Sequence, residues 1–87
     1  MSNNFALITG ASSGIGLEIA KCLAEKKYNV ILTARSEDKL IELSSEISKN
    51  YHVKADYIKC DLSKTDAPQM LYDFCESNDY QIDTLVN

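Results

Sequence analysis

The segment Thr9-Gly10-Ala11-Ser12-Ser13-Gly14-Ile15-Gly16 places all three glycines of an 87-residue chain between positions 10 and 16. Only there can the backbone turn sharply or approach another group without a Cβ in the way. Ahead of it, Phe5-Ala6-Leu7-Ile8-Thr9 is a short apolar run, the pattern of a strand buried on both faces of a parallel sheet. Behind it, Ile15, Ile19, Cys22 and Leu23 fall at i, i+4, i+7 and i+8, which predicts one apolar stripe on a helix running to about Lys27. A strand, a tight turn and a helix start therefore meet at these glycines. The free N–H groups of such a helix start form a place for an anion.

The pattern then repeats. Tyr28 and Asn29 end the first helix, and Val30-Ile31-Leu32-Thr33-Ala34 forms a second buried strand that stops at Arg35. Ser36 is expected to cap the second helix through its hydroxyl, with Glu37 and Asp38 at the positive end, Leu40, Leu43 and Ile47 as the buried stripe, and Lys49 and Asn50 as exit residues. A third strand from about Lys54 to Cys60 ends at Asp61-Leu62. Asp66 is expected to cap a third helix, with Pro68 in its first turn and Met70, Leu71, Phe74 and Cys75 on its apolar face. Ile82 to Val86 begins a fourth strand just before Asn87.

The order β-α-β-α-β-α-β with short connections predicts an α/β fold with crossover helices packed on a parallel sheet. The first two helices are expected on one face and the third on the other. A fourth strand without a return helix leads us to expect the N-terminal part of a single domain, residues 1–87, truncated before the second half of the fold. Its uncovered apolar face makes self-association the expected behaviour of the isolated chain.

Charge and cysteine usage narrow the function. Nine basic residues stand against 13 acidic ones, for a net charge of −4, and the longest basic run is Lys26-Lys27. Binding to nucleic acid or to an anionic membrane, which needs clustered cations, is disfavoured. No window approaches the roughly 18 uncharged apolar residues of a membrane helix, and the N-terminus lacks the basic and apolar regions of a signal peptide. The expected compartment is the cytoplasm. Cys22, Cys60 and Cys75 are far apart, and His52 is the one histidine. No metal site is expected from them. The glycine spacing also differs from a P-loop, which needs Gly-Lys-Ser/Thr, because Leu17 and Glu18 follow Gly16.

Taken alone, the three glycines could serve only to close a turn. Between a buried strand and an amphipathic helix, with a second strand following, they read instead as part of a dinucleotide-binding unit. In such units an acid at the end of the second strand accepts from the ribose 2′-hydroxyl and repels a 2′-phosphate. That position is Ala34 here, followed by Arg35, whose guanidinium suits a phosphate. Read by itself, Arg35 is a solvated residue before a helix. Together the missing acid and the present base favour NADP(H), with NAD(H) possible, and Ser12 and Ser36 are neutral donors to the same phosphate.

Thr-Gly-Ala-Ser-Ser-Gly-Ile-Gly at 9–16 resembles the glycine motif of the short-chain dehydrogenases/reductases, and Leu85-Val86-Asn87 is similar to the lead-in of that family's Asn-Asn-Ala-Gly motif. The resemblance implies a Rossmann-type sheet, with Gly10, Ser12, Ser13, Gly14, Ile15 and Gly16 around the pyrophosphate and adenosine ribose of a nicotinamide dinucleotide. Cys60-Asp61-Leu62 is similar to the family's third strand end, which implies that the Asp61 side chain meets the adenine amino group and the Leu62 N–H a ring nitrogen. Asn87 would line the adenosine ribose side. Read alone, Asp61 is a loop acid that caps the segment after it.

The family's catalytic Tyr-x-x-x-Lys pair is missing. Tyr28, Tyr51, Tyr57, Tyr72 and Tyr80 are followed four residues later by Leu32, Ala55, Asp61, Glu76 and Thr84. No catalytic residue is therefore assigned, and the chain is expected to be inactive alone. The resemblance implies the cofactor-binding portion of an oxidoreductase that moves hydride between a nicotinamide cofactor and a small carbonyl or alcohol substrate. The alternative is a non-catalytic dinucleotide-binding module that acts through a partner protein.

Overall fold

The computed structural model describes residues 4–10, 14–61 and 67–86. The chain runs β1 (Asn4–Thr9), α1 (Gly14–Glu25), β2 (Asn29–Ala34), α2 (Glu37–Tyr51), β3 (Ala55–Lys59), α3 (Ala67–Ser77) and β4 (Gln81–Val86). The strands pair in parallel in the order β3-β2-β1-β4. This is the α/β alternation expected from the sequence. β1 and β2 are central, with a strand on either side and helices on both faces, which is why their runs are apolar without alternation.

Successive side chains of β1 divide the core in two. Ala6 and Ile8 join Val30, Leu32 and Ala34 beneath Ala20 and Ala24 of α1 and Leu40, Leu43 and Ile47 of α2. Phe5 and Leu7 point the other way with Ile31, and Leu71, Phe74 and Cys75 of α3 pack on them. The first two crossovers therefore share one face and the third takes the other, as expected.

The buried side of α1 differs from the predicted stripe. Its buried residues are Gly16, Ala20 and Ala24, with Leu17 and Leu23 partly buried beside them. Ile15 is 78% exposed, Cys22 is exposed and Ile19 is half-buried. Small residues at i, i+4 and i+8 let the helix come close to the sheet, and the larger side chains are turned aside. On α3, Met70 likewise leaves the expected apolar face and is exposed.

Strand and helix ends shift for local reasons. β1 and β2 each begin one residue earlier than expected, where the Asn29 amide donates to the Asn4 carbonyl (3.4 Å) and accepts from the Lys54 N–H (3.0 Å). α2 runs past Lys49 and Asn50 to Tyr51, and exposed His52 closes it in the left-handed region, its N–H donating to the Ser48 carbonyl. Lys27 and Asp79 also have positive φ, 70° and 56°. Tyr28 and Tyr80 then donate their N–H groups back to Leu23 and Cys75, the same C-terminal closure at the ends of α1 and α3. The expected Asp66 cap lies outside the described residues.

That closure delivers Tyr80 to the α3 face. Its ring lies over Phe5, with centroids 4.1 Å apart and a 35° tilt, and meets Phe74 edge-on at 6.0 Å. The hydroxyl donates to Asp56 Oδ2 at 2.7 Å, while Asp56 Oδ1 accepts from the Tyr57 N–H at 2.8 Å. Burial, with the Asp56 carboxylate as hydrogen-bond partner and nearby charge, pushes the phenol up to about 12.

The edge strand β4 carries an extra residue. Phe5 pairs with Ile82 and Ala6 with Thr84, so Asp83 is a bulge. Without it, Ile82 and Leu85 would fall on opposite faces. With it they share the face of Phe5 and Leu7, where they are 37% and 59% exposed.

Candidate functional site

The strand order reverses between β1 and β4, since the chain moves from β1 outward through β2 to β3 and then returns to the other side of β1. In open parallel sheets the crevice at the carboxyl ends of such strands is where ligands bind. Gly10 follows β1, Arg35 and Ser36 follow β2, and Asp61 follows β3 by two residues. The N-terminus of α1, with Gly14, Ile15 and Gly16, belongs to the same edge. These sequence-predicted residues therefore lie along one end of the sheet. Ser12, Ser13, Leu62 and Asn87 lie outside the described residues.

Each glycine has a different local reason. Gly10 has φ +64°, a left-handed conformation that L side chains rarely adopt, so the turn after β1 itself calls for glycine. Gly16 is buried against the sheet. Gly14, the first residue of α1, needs neither explanation: its φ is not positive, and a Cβ built on it meets no atom of the described residues within 4 Å.

The two helix starts on this edge also differ. α2 begins with Glu37 and Asp38 in its first turn, whereas α1 has no acid there. The positive end of α2 is met by its own carboxylates, whereas among the described residues no carboxylate lies in the first turn of α1. Ile15, exposed beside Gly14, offers an apolar surface at the same end.

Ser36 sits at the N-cap of α2, but the expected capping bond is missing: its side chain makes no cap hydrogen bond at φ −102° and ψ 109°. The Leu40 N–H instead reaches the Ser36 carbonyl at 3.3 Å. Arg35 is exposed and, among the described residues, has no ion-pair partner. Ala34 is buried beside it. The β2–β3 ladder continues one residue past β3, because the Cys60 N–H donates to the Ala34 carbonyl at 2.9 Å. That bond holds the chain at Arg35 alongside the chain at Asp61.

Sequence reasoning missed Thr9. Its hydroxyl donates to the Val86 carbonyl at 3.1 Å, joining the carboxyl ends of β1 and β4 where the strand order reverses. A threonine directly before the first glycine was the available signal. A cleft of about 350 Å³ opens at the opposite ends of the strands, lined by Asn4, Lys26, Lys27, Tyr28, Asn29 and Asp83, and includes no residue of the candidate site.

The family model described as short chain dehydrogenase matches residues 4–87. The chain belongs to the short-chain dehydrogenase family. A very-long-chain 3-oxoacyl-CoA reductase from Candida glabrata is 38% identical to it over 88 residues, covering 99% of this chain and 24% of the reductase. L-sorbose reductase from Gluconobacter frateurii, solved with NADPH and L-sorbose, superposes with a TM-score of 0.92 at 31% identity, over 99% of this chain and 33% of that one. An alcohol dehydrogenase from Thermococcus sibiricus, complexed with 5-hydroxy-NADP, gives a TM-score of 0.88 at 33% identity, over 94% and 35% of the two chains. This short-chain dehydrogenase sequence thus spans about a quarter to a third of the length of these three relatives.

Proposed function

We propose that residues 1–87 are the NADP(H)-binding N-terminal part of a single Rossmann-type domain, in an oxidoreductase that moves hydride between a nicotinamide cofactor and a carbonyl or alcohol substrate. The observation that carries this reading is Gly14 at the first position of α1, where neither a positive φ nor any neighbour among the described residues calls for glycine. A ligand pressed against the backbone does require it. Bound NADPH supplies the hydride. The chain's own residues hold its adenosine half: Gly10, Ser12, Ser13, Gly14, Ile15 and Gly16 take the pyrophosphate and ribose, Asp61 and Leu62 the adenine, and Asn87 the ribose side.

Arg35 and Ser36 hold the 2′-phosphate. Ala34 removes the carboxylate that would repel it, and the Ser36 hydroxyl is not engaged in capping. Hydrogen bonds to charged groups contribute about 1.5–3 kcal/mol, which sets a preference for NADPH over NADH of roughly ten- to a hundredfold. The NADPH and 5-hydroxy-NADP complexes of the two solved relatives support the same choice. With no Tyr-x-x-x-Lys pair, this chain binds cofactor without turning over a carbonyl substrate.

Titration of NADPH and NADH against Gly14→Val and Arg35→Ala tests the assignment. Gly14→Val should keep the circular dichroism spectrum and lose more than tenfold in affinity for both cofactors. Arg35→Ala should weaken NADPH and leave NADH nearly unchanged. Normal affinity in a folded Gly14→Val protein would reduce the glycine segment to a turn, and equal loss of both cofactors in Arg35→Ala would remove the phosphate contact. The exposed Ile82 and Leu85 support self-association of this chain. In sedimentation velocity Leu85→Lys should shift the chain toward monomer, whereas a wild type that is already monodisperse would refute self-association.

A further inference from the structure

We infer that Tyr80 and Asp56 form a latch that holds α3 on the sheet. The two residues belong to opposite margins of the sheet. Tyr80 stands at the entrance to β4, and Asp56 pairs in register with Ile31 on β3, the other outer strand. The Tyr80 ring lies over Phe5 and its hydroxyl reaches Asp56 at 2.7 Å, so one side chain spans the face that α3 covers. The acceptor is itself fixed. Asp56 Oδ1 takes the Tyr57 N–H, which leaves Oδ2 turned to the phenol.

α3 has little else to hold it. Leu71, Phe74 and Cys75 are only half-buried, and Met70 and Tyr72 are exposed. Helices this sparsely covered open locally at low cost unless something pins them. The hydroxyl–carboxylate bond pins the corner directly after α3, and Tyr80 is in this sense a positioning residue for that helix.

Amide hydrogen exchange on the full chain tests the latch. Tyr80→Phe keeps the ring over Phe5 and removes only the hydroxyl. Exchange in residues 67–77 should accelerate tenfold or more while residues 30–47 keep their wild-type rates. Asp56→Asn should produce the same pattern, and the double variant should exchange no faster than the faster single one. Unchanged rates in 67–77, equal acceleration in 30–47, or additive effects in the double variant would each overturn the latch.

Discussion

The two faces of the sheet are built from the same strands and covered to different degrees. Under α1 and α2, the residues Ala6, Ile8, Val30, Leu32, Leu40 and Ile47 are completely buried. Under α3, Phe5 and Ile31 are buried at the centre, but Leu71 and Phe74 are half-buried and Ile82 and Leu85 are exposed. The difference follows from topology, because two consecutive crossovers landed on the first face and one on the second. It also divides the candidate site: Gly14 and Gly16 start a helix anchored on the closed face, while Asp61 leads into the helix of the open face.

Core truncation should expose this asymmetry most strongly. Leu32→Ala removes a completely buried side chain from the closed face and should cost about 2–5 kcal/mol. That is a large share of the roughly 5–15 kcal/mol that stabilises a typical domain. Leu71→Ala on the open face should cost about 1 kcal/mol, in proportion to its partial burial. Urea unfolding of both variants compares them directly, and equal losses would mean that the two faces are equally closed.

Alkali should act on the open face through Tyr80. The Tyr80 pKa rises from 10.0 to about 12 on folding, so the folded state holds the phenol proton more tightly than the unfolded chain does. The stability this contributes is whole below pH 10 and is lost as pH rises toward 12. Thermal melts across that range should show the advantage of wild type over Tyr80→Phe shrinking. A constant advantage would place the contribution of Tyr80 in its ring instead of its hydroxyl.

The smallest effect is expected on the closed face. A capping serine typically contributes about 1 kcal/mol. Ser36 makes no such bond, so Ser36→Ala should cost less than about 0.5 kcal/mol, because α2 is held by Leu40, Leu43 and Ile47. A loss of 1 kcal/mol or more in chemical denaturation would show that the hydroxyl caps the helix in solution.

The class, the element order and the facing of the three helices were legible in the sequence because buried parallel strands leave unbroken apolar runs. The glycine segment was legible for the same reason: it interrupts such a run. The packing side of α1 was not. Ile15 and Ile19 lie one residue before Gly16 and Ala20, and Cys22 two before Ala24, both sets are apolar, and side-chain size suggested the wrong one. Closeness to the sheet decided for the smaller set. The Asp83 bulge and the Tyr80–Asp56 bond were illegible because each depends on a partner strand far away in the chain. At the site, Arg35, Ser36 and Asp61 were found as strand-end residues, while the cross-sheet bond of Thr9 required the strand order.

The Thr9–Val86 bond joins residues 77 positions apart, and this has a consequence for biosynthesis. The central strand β1 emerges from the ribosome first and gains β2 on one side early, but its other side waits for β4. At about 5–20 residues per second that interval is roughly 4–15 s. Throughout it the edge of Phe5 to Ile8 is an unsatisfied backbone ladder next to some of the most apolar side chains of the protein. Chaperone engagement with nascent chains should therefore peak after β1 has left the exit tunnel and fall when β4 appears.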